Sequence, residues 1–230
     1  MNPKHPLASP YPGYDVLKLR DTPSWDDVTR AVIDERLAQP NAPRFCNDTQ
    51  WRALQALCTV IVPQSLDPSV DVAHRRFAAP RIPVAGLVDT RLDQDTRDGY
   101  RDARLPPLRE AWRIALAAID AESQTLYGAA FADIDENAQC DVVRRMQTGE
   151  LQSPAWHGMG SDVFFRLRLM VDIASAYYSH PHAWSEIGFG GPANPRGYVR
   201  MQANRRDAWE PVEARPGQEE KARRENGRVR

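Results

Sequence analysis

The chain has 230 residues, 42% of them hydrophobic and 27% charged, enough for one globular domain with a proper core or for two small ones. A formal net charge of -1 gives no electrostatic reason to expect nucleic acid or an anionic membrane surface as partner. Three scattered cysteines without a Cys-x-x-Cys exclude a disulfide framework and give no support to a zinc or thioredoxin-like motif. Cys58 and Cys140 sit among apolar residues at helical spacing and are expected to be buried thiols.

Residues 1–22 are rich in Pro and Tyr, without periodicity, and are expected to form an extended arm lying on the domain or on a partner. The first six residues, MNPKHP, lack a basic region followed by an apolar run, so no secretory signal is read there. The early Arg75-Arg76 pair lies well inside the chain. The longest apolar run, 57–62, has the length of a buried helix segment and not of a membrane span.

Residues 23–202 form the expected domain. Ser24 can cap a first helix, with Asp27 as acidic partner and Trp25, Val28, Val32 and Leu37 on one face. Asp48 or Thr49 can cap a second, in which Trp51, Leu54, Leu57, Cys58 and Ile61 recur at three and four before Pro63 stops it. Pro83 fits the first turn of a third, with Val84, Leu87, Val88 and Leu92 in register. The longest helix is expected over 107–127, with Leu108, Trp112, Ala115, Leu116, Ile119, Ser123 and Leu126 inward and Gly128 as its stop. A fifth opens at Asp133 or Asp135 and buries Ala138, Val142, Val143 and Met146 before Gly149. The sixth, 161–178, is apolar nearly all round. Val163, Phe164, Leu167, Met170, Val171, Ala174 and Tyr177 fill one face, and only Arg166, Arg168 and Asp172 interrupt the rest. Such a helix is central to a core or covered by a partner. No alternating β pattern of useful length occurs, so the fold class is all-α, a bundle of about six helices. Residues 203–230 lose apolar character, and disorder is expected after about Glu213.

His157, His180, His182 and Glu186 are the candidate metal ligands. Pro181 between two of the histidines means they do not share a helical face as a zinc-protease pair does, so structural or interface roles are the better reading. In Gly188-Phe189-Gly190-Gly191-Pro192 no strand precedes the glycines, proline removes an amide donor and no Gly-Lys-Ser/Thr follows. A phosphate loop is therefore unlike this segment, and a tight turn allowing close backbone approach fits better. No serine, cysteine or carboxylate constellation has a catalytic signature. Residues 177–198 instead collect aromatics, Pro, Gly and Arg in a stretch read as a non-helical loop, a mixture suited to an interface or to sealing the core.

The run YYSHPHAWSEIGFGGP at 177–192 resembles the C-terminal motif of the gluconate 2-dehydrogenase subunit 3 family. Phe164-Phe165 matches the paired aromatics expected before it. ALCTVIVP at 56–63 is similar to the family's early helix, and Gly99-Tyr100-Arg101 with Leu105-Pro106-Pro107 to its middle, so the likeness covers roughly 45–200. The resemblance implies a non-catalytic accessory subunit. Its partner would be a large FAD-containing dehydrogenase subunit of the glucose-methanol-choline type, often with a multihaem cytochrome c. Flavin and haem c would sit in those partners, with no cofactor in this chain. It also implies the periplasmic side of the inner membrane. The twin-arginine leader that some members carry has no counterpart among these residues, which points to the cytoplasm or to export alongside the partner. Expected roles are then folding, stabilisation or docking of the flavoprotein, with His180, Trp184, Phe189, Arg196 and Tyr198 at the contact. Two alternative classes are compatible with the residues: a metal-dependent oxidoreductase using the His/Glu set, and a structural protein that self-associates through 161–178.

Overall fold

A computed structural model describes residues 10–64, 81–95, 99–192, 206–207 and 209–229. Among them every regular element is helical, in agreement with the all-α class. The contacts divide the chain into two compact units, one of Met1–Gln39, Gln64–Ile82 and Tyr177–Arg230, the other of Pro40–Pro63 and Pro83–Ala176.

The second unit follows the sequence periodicity most closely. Helix α2 (Asp48–Ile61) starts with a reciprocal cap: Gln50 N–H donates to Asn47 Oδ1 at 2.9 Å and Asn47 N–H donates to Gln50 Oε1 at 3.2 Å. Asn47, one residue before the expected caps, thus satisfies amides that the helix itself leaves open. Pro83 directly precedes α3 (Val84–Asp93). Helices α4 (Leu108–Tyr127) and α5 (Glu136–Thr148) end at Gly128 and Gly149, whose φ of 75° and 77° closes each helix in the left-handed region. Every residue that the spacing turns inward in the two helices is buried except Leu126, which is exposed, and α4 buries Ala111, Ala118 and Glu122 besides. Helix α2 packs on α3, α4 and α5. Cys46 and Cys58 are buried, and burial pushes both thiols up, so they stay protonated. Cys140 corrects the expectation of burial: it is exposed, two positions round α5 from the inward Ala138.

The apolar helix at 161–178 is continuous but not regular. Helix α6 (Ser161–Phe164) runs into a π-helical turn at Phe165–Leu169, then into α7 (Met170–Tyr178). The Met170 N–H reaches back five residues to the Phe165 carbonyl. One residue too many in a turn rotates everything after it by about 100°. The face expected to be buried therefore changes at the turn. Val163, Phe164 and Tyr177 are inward as expected, whereas Met170 and Val171 are exposed and Leu169, Asp172 and Ile173 take inward positions.

Asp172 is buried by that rotation at 2% exposure. Its carboxylate accepts from Trp112 Nε1 at 2.8 Å and from Arg91 at 3.0 Å, with Arg168 at 3.7 Å. A second indole, Trp156 Nε1, donates to Glu122 at 3.1 Å. Phe164 meets both tryptophans, edge-on to Trp112 at 5.2 Å and tilted to Trp156 at 6.2 Å. Asp89, also buried, gathers three successive backbone N–H groups, those of Arg44, Phe45 and Cys46, at 2.5, 3.0 and 2.9 Å. These carboxylates are structural: each holds an indole or a loop in place through charge-assisted bonds.

The first unit departs further from expectation. Helix α1 (Asp27–Leu37) is capped by Asp26, whose carboxylate accepts from Thr29 N–H at 2.8 Å, and not by Ser24. Its inward residues are Thr29 and Ile33, while Val28 is 71% exposed and Val32 is also exposed. The described part of the expected arm, from residue 10 on, contributes to the core. Val16–Leu19 forms a 3-10 turn, and Tyr14, Val16 and Leu19 pack with Trp25, Ile33 and Trp184. Two helices beyond the expected six occur here: α8 (Pro181–Ile187) and α9 (Glu219–Asn226). With α6, the π turn and α7 taken as one, the described residues hold eight helices. Helix α9 lies where disorder was expected. Its anchoring is small and partly polar: Ala222 and Asn226 are buried, and Asn226 bonds to Val212 and Pro12. Hydrophobic patterning does not see an anchor of that kind.

Replacing Asp172 by Ala would leave the Trp112 indole and Arg91 without their buried acceptor. A loss of roughly 3–5 kcal/mol is expected in urea unfolding followed by tryptophan fluorescence. Asp172→Asn keeps an oxygen for the indole and should lose less.

Candidate binding site

The motif at 177–192 is built around α8. His180 is its N-cap: the His182 N–H donates to His180 Nδ1 at 3.3 Å, and Pro181 occupies the first turn, where no amide donor is needed. Gly188, with φ of 69°, ends it. Within the stretch read as non-helical, Pro181–Ile187 thus forms a seven-residue helix between a histidine cap and a glycine stop, and residues 193–198 lie outside the described residues.

Two further bonds fix it. Trp184 Nε1 donates to the Tyr178 carbonyl at 2.7 Å, and Tyr177 Oη donates to Glu186 Oε2 at 2.6 Å. Trp184 is buried, with Arg36 lying 5.8 Å over its ring and Phe189 meeting it edge-on at 5.6 Å. Arg36 also donates to the Ser179 carbonyl at 3.1 Å.

The glycines answer the question of close approach. A Cβ on Gly188 would stand 2.6 Å from the Tyr11 ring, and one on Gly191 (φ of 72°) 2.9 Å from the Trp25 ring. Both sites need a residue without a side chain, on grounds of space and of φ. The chain segments pressing on them come from the arm and from the turn before α1.

The expected contact residues separate accordingly. His180 and Trp184 are buried within their own unit and shape the site from beneath. Phe189 is 40% exposed, and Ile187 (46%) and Tyr178 (40%) join it as large exposed apolar groups of the motif. Arg196 and Tyr198 lie outside the described residues. Tyr11 and Trp25 were missed by the sequence reading. The glycine pattern signals that something approaches there, but not which residues do.

The metal candidates do not converge. The His180 and His182 rings are 5.0 Å apart, but His180 Nδ1 serves as the cap and Glu186 holds Tyr177. His157 is exposed and belongs to the other unit, where it ends a 3-10 turn with φ of 49°. Among the described residues, no group of three or more His, Cys, Asp or Glu that could hold a metal ion occurs. Nor is any helix among them long and apolar enough to cross a membrane.

The motif thus holds apolar side chains outward from a fixed turn. The family model described as gluconate 2-dehydrogenase subunit 3 matches residues 48–191. That is more than half of the chain, and the chain belongs to this family. It is accordingly a non-catalytic accessory subunit of an oxidoreductase complex. No curated protein matches it, and no solved structure does.

Two predictions follow from this geometry. Gly188→Ala should cost more than the roughly 1–2 kcal/mol of its left-handed φ, because Tyr11 must also move. In a double-mutant cycle with Tyr11→Ala the excess should vanish, leaving only the conformational part.

The second concerns pH. Burial pushes the His180 imidazole down from 6.5 to about 4, with His182 and Arg36 adding to the shift. Burial lowers His182 as well, and Asp15 partly opposes this. Between those limits the unfolded chain takes up a proton at His180 that the folded chain refuses. Stability is therefore full above pH 6.5 and falls as the pH drops towards 4, by roughly 3 kcal/mol from this group. Asn at position 180 also caps helices but does not titrate. Denaturation midpoints of His180→Asn should fall less steeply than the parent's from pH 6.5 to 4.5, and match it more closely above pH 7.

Proposed function

We propose that this chain is the docking subunit of an FAD-dependent dehydrogenase of the glucose-methanol-choline type that oxidises gluconate, a sugar or a polyol. It binds the large flavoprotein subunit and stabilises it or assists its assembly. Flavin chemistry belongs to that subunit, and electron transfer through c-type haem to a multihaem cytochrome where one joins the complex. The complex works on the periplasmic side of the inner membrane.

The observation that carries this reading is the motif's outward face. Ile187 and Phe189 remain 46% and 40% exposed on a turn held by a histidine cap, an indole bond and two glycine contacts. Exposed large apolar groups on a rigid turn lose little entropy on binding, which suits them as anchors. The matched family segment ends at residue 191 and so includes both.

Affinity capture of the tagged chain from its own host, with mass spectrometry and visible absorbance of the eluate, should recover a large flavoprotein with a flavin spectrum. Phe189→Ala and Ile187→Asp should each weaken capture by about thirty-fold, the size of an interface anchor of about 2 kcal/mol. A colourless, partner-free eluate would refute the assignment. Trp184→Ala is unsuitable for this purpose, since emptying a buried indole costs roughly 3–5 kcal/mol of stability.

A further inference from the structure

The arm at 10–19 is held from two sides within its unit. Towards α8, Val16 N–H donates to Ser185 Oγ at 3.1 Å, and the Tyr11 ring lies against Gly188. On the other side stands the segment 209–229. Ala214 N–H donates to the Pro10 carbonyl at 2.7 Å, and Tyr14 Oη to the Trp209 carbonyl at 3.3 Å. Gly13, with φ of 76°, passes α9 so closely that a Cβ there would stand 3.0 Å from the Arg223 carbonyl oxygen.

Asn226 ties these parts together. It is fully buried in a helix whose sequence is EEKARREN. Its Nδ2 donates to the Pro12 and Val212 carbonyls, both at 3.0 Å, and its Oδ1 accepts from Val212 N–H at 2.6 Å. Both amide hydrogens and the oxygen are thus engaged. A buried amide so satisfied holds its partners in one arrangement, and removing it leaves their backbone groups unpaired. Neither the arm nor α9 lies within the matched family segment.

We infer that residues 209–229 are a latch that clamps the arm onto the glycine turn, so that the motif holds its docking shape only while the latch is engaged. Asn226 is the pin. Its bonds go to Pro12 and Val212, and its effect reaches Gly188 through the ring of Tyr11. The motif then takes up a partner only after residues 209–229 have joined the arm, which imposes an order on assembly. The consequence for partner capture rests on the docking assignment above; the coupling between latch and motif does not.

Amide hydrogen exchange on the full chain tests it, with Asn226→Ala and Tyr11→Ala compared with the parent. In Asn226→Ala, exchange should rise at least about ten-fold at 10–16 and 187–191 together, while 108–148 of the other unit stays protected. Tyr11→Ala cuts the link without touching the pin, and should open 187–191 while 219–226 keeps its protection. Should Asn226→Ala unfold its whole unit, Tyr11→Ala carries the test. A motif that stays protected in Tyr11→Ala, or in Asn226→Ala while the arm opens, would overturn the latch. Exchange that rises with capture of the flavoprotein unchanged would leave the latch standing and refute the docking role of the motif.

Discussion

Tyr11 and Trp25 press on the backbone at Gly188 and Gly191 where no Cβ can stand. Much of the first unit follows from that closeness. Two rings on a bare backbone require the arm and the turn before α1 to be in place. They require left-handed conformations at both glycines, and a helix that stops where the first ring sits. The same contacts set where Phe189 emerges between them. Interiors are packed too densely to let such a turn slide by degrees, so the turn is either held or lost.

Within that frame the aromatic motif divides its labour. Trp184 fills the core, spends its indole hydrogen on the Tyr178 carbonyl and offers its face to Phe189. Tyr177 is buried against Glu186, and His180 is spent on the helix cap. Most of what makes the segment conspicuous in sequence therefore supports a few exposed groups. A residue can be needed for binding in this way without touching the partner.

How much could be read beforehand depended on how each element is stabilised. Helices α2, α4 and α5 bury apolar stripes at the helical period and end at Pro63, Gly128 and Gly149, so their extent and inner faces were legible. Helix α1 buries Thr29 and Ile33 and leaves Val28 exposed, and tertiary packing outweighed the apolar pattern there. Beyond Leu169 the regular helical wheel fails because the π turn shifts the register, and nothing in the spacing of 161–178 announces that turn. Helix α8 is too short to show a period, and its cap is a histidine, an uncommon choice. Helix α9 buries only Ala222 and Asn226, and composition cannot distinguish that asparagine from a solvated one. The candidate site was legible as a place, through its glycines and aromatics, but the sorting into buried and exposed side chains required the fold.

The buried charge of the second unit is committed to the fold. In the second unit Asp89 accepts three backbone amides, Glu122 an amide and an indole, and Asp172 an indole and an arginine. Each carboxylate is enclosed by donors from its own chain, and each fixes a loop or a large aromatic in the core. Polar groups committed in this way make a helical unit stiff and specific. What the chain presents outward from its motif is apolar: Tyr178, Ile187 and Phe189. Such a surface gains by being covered, and the rigidity beneath it limits the entropy lost when a partner does so.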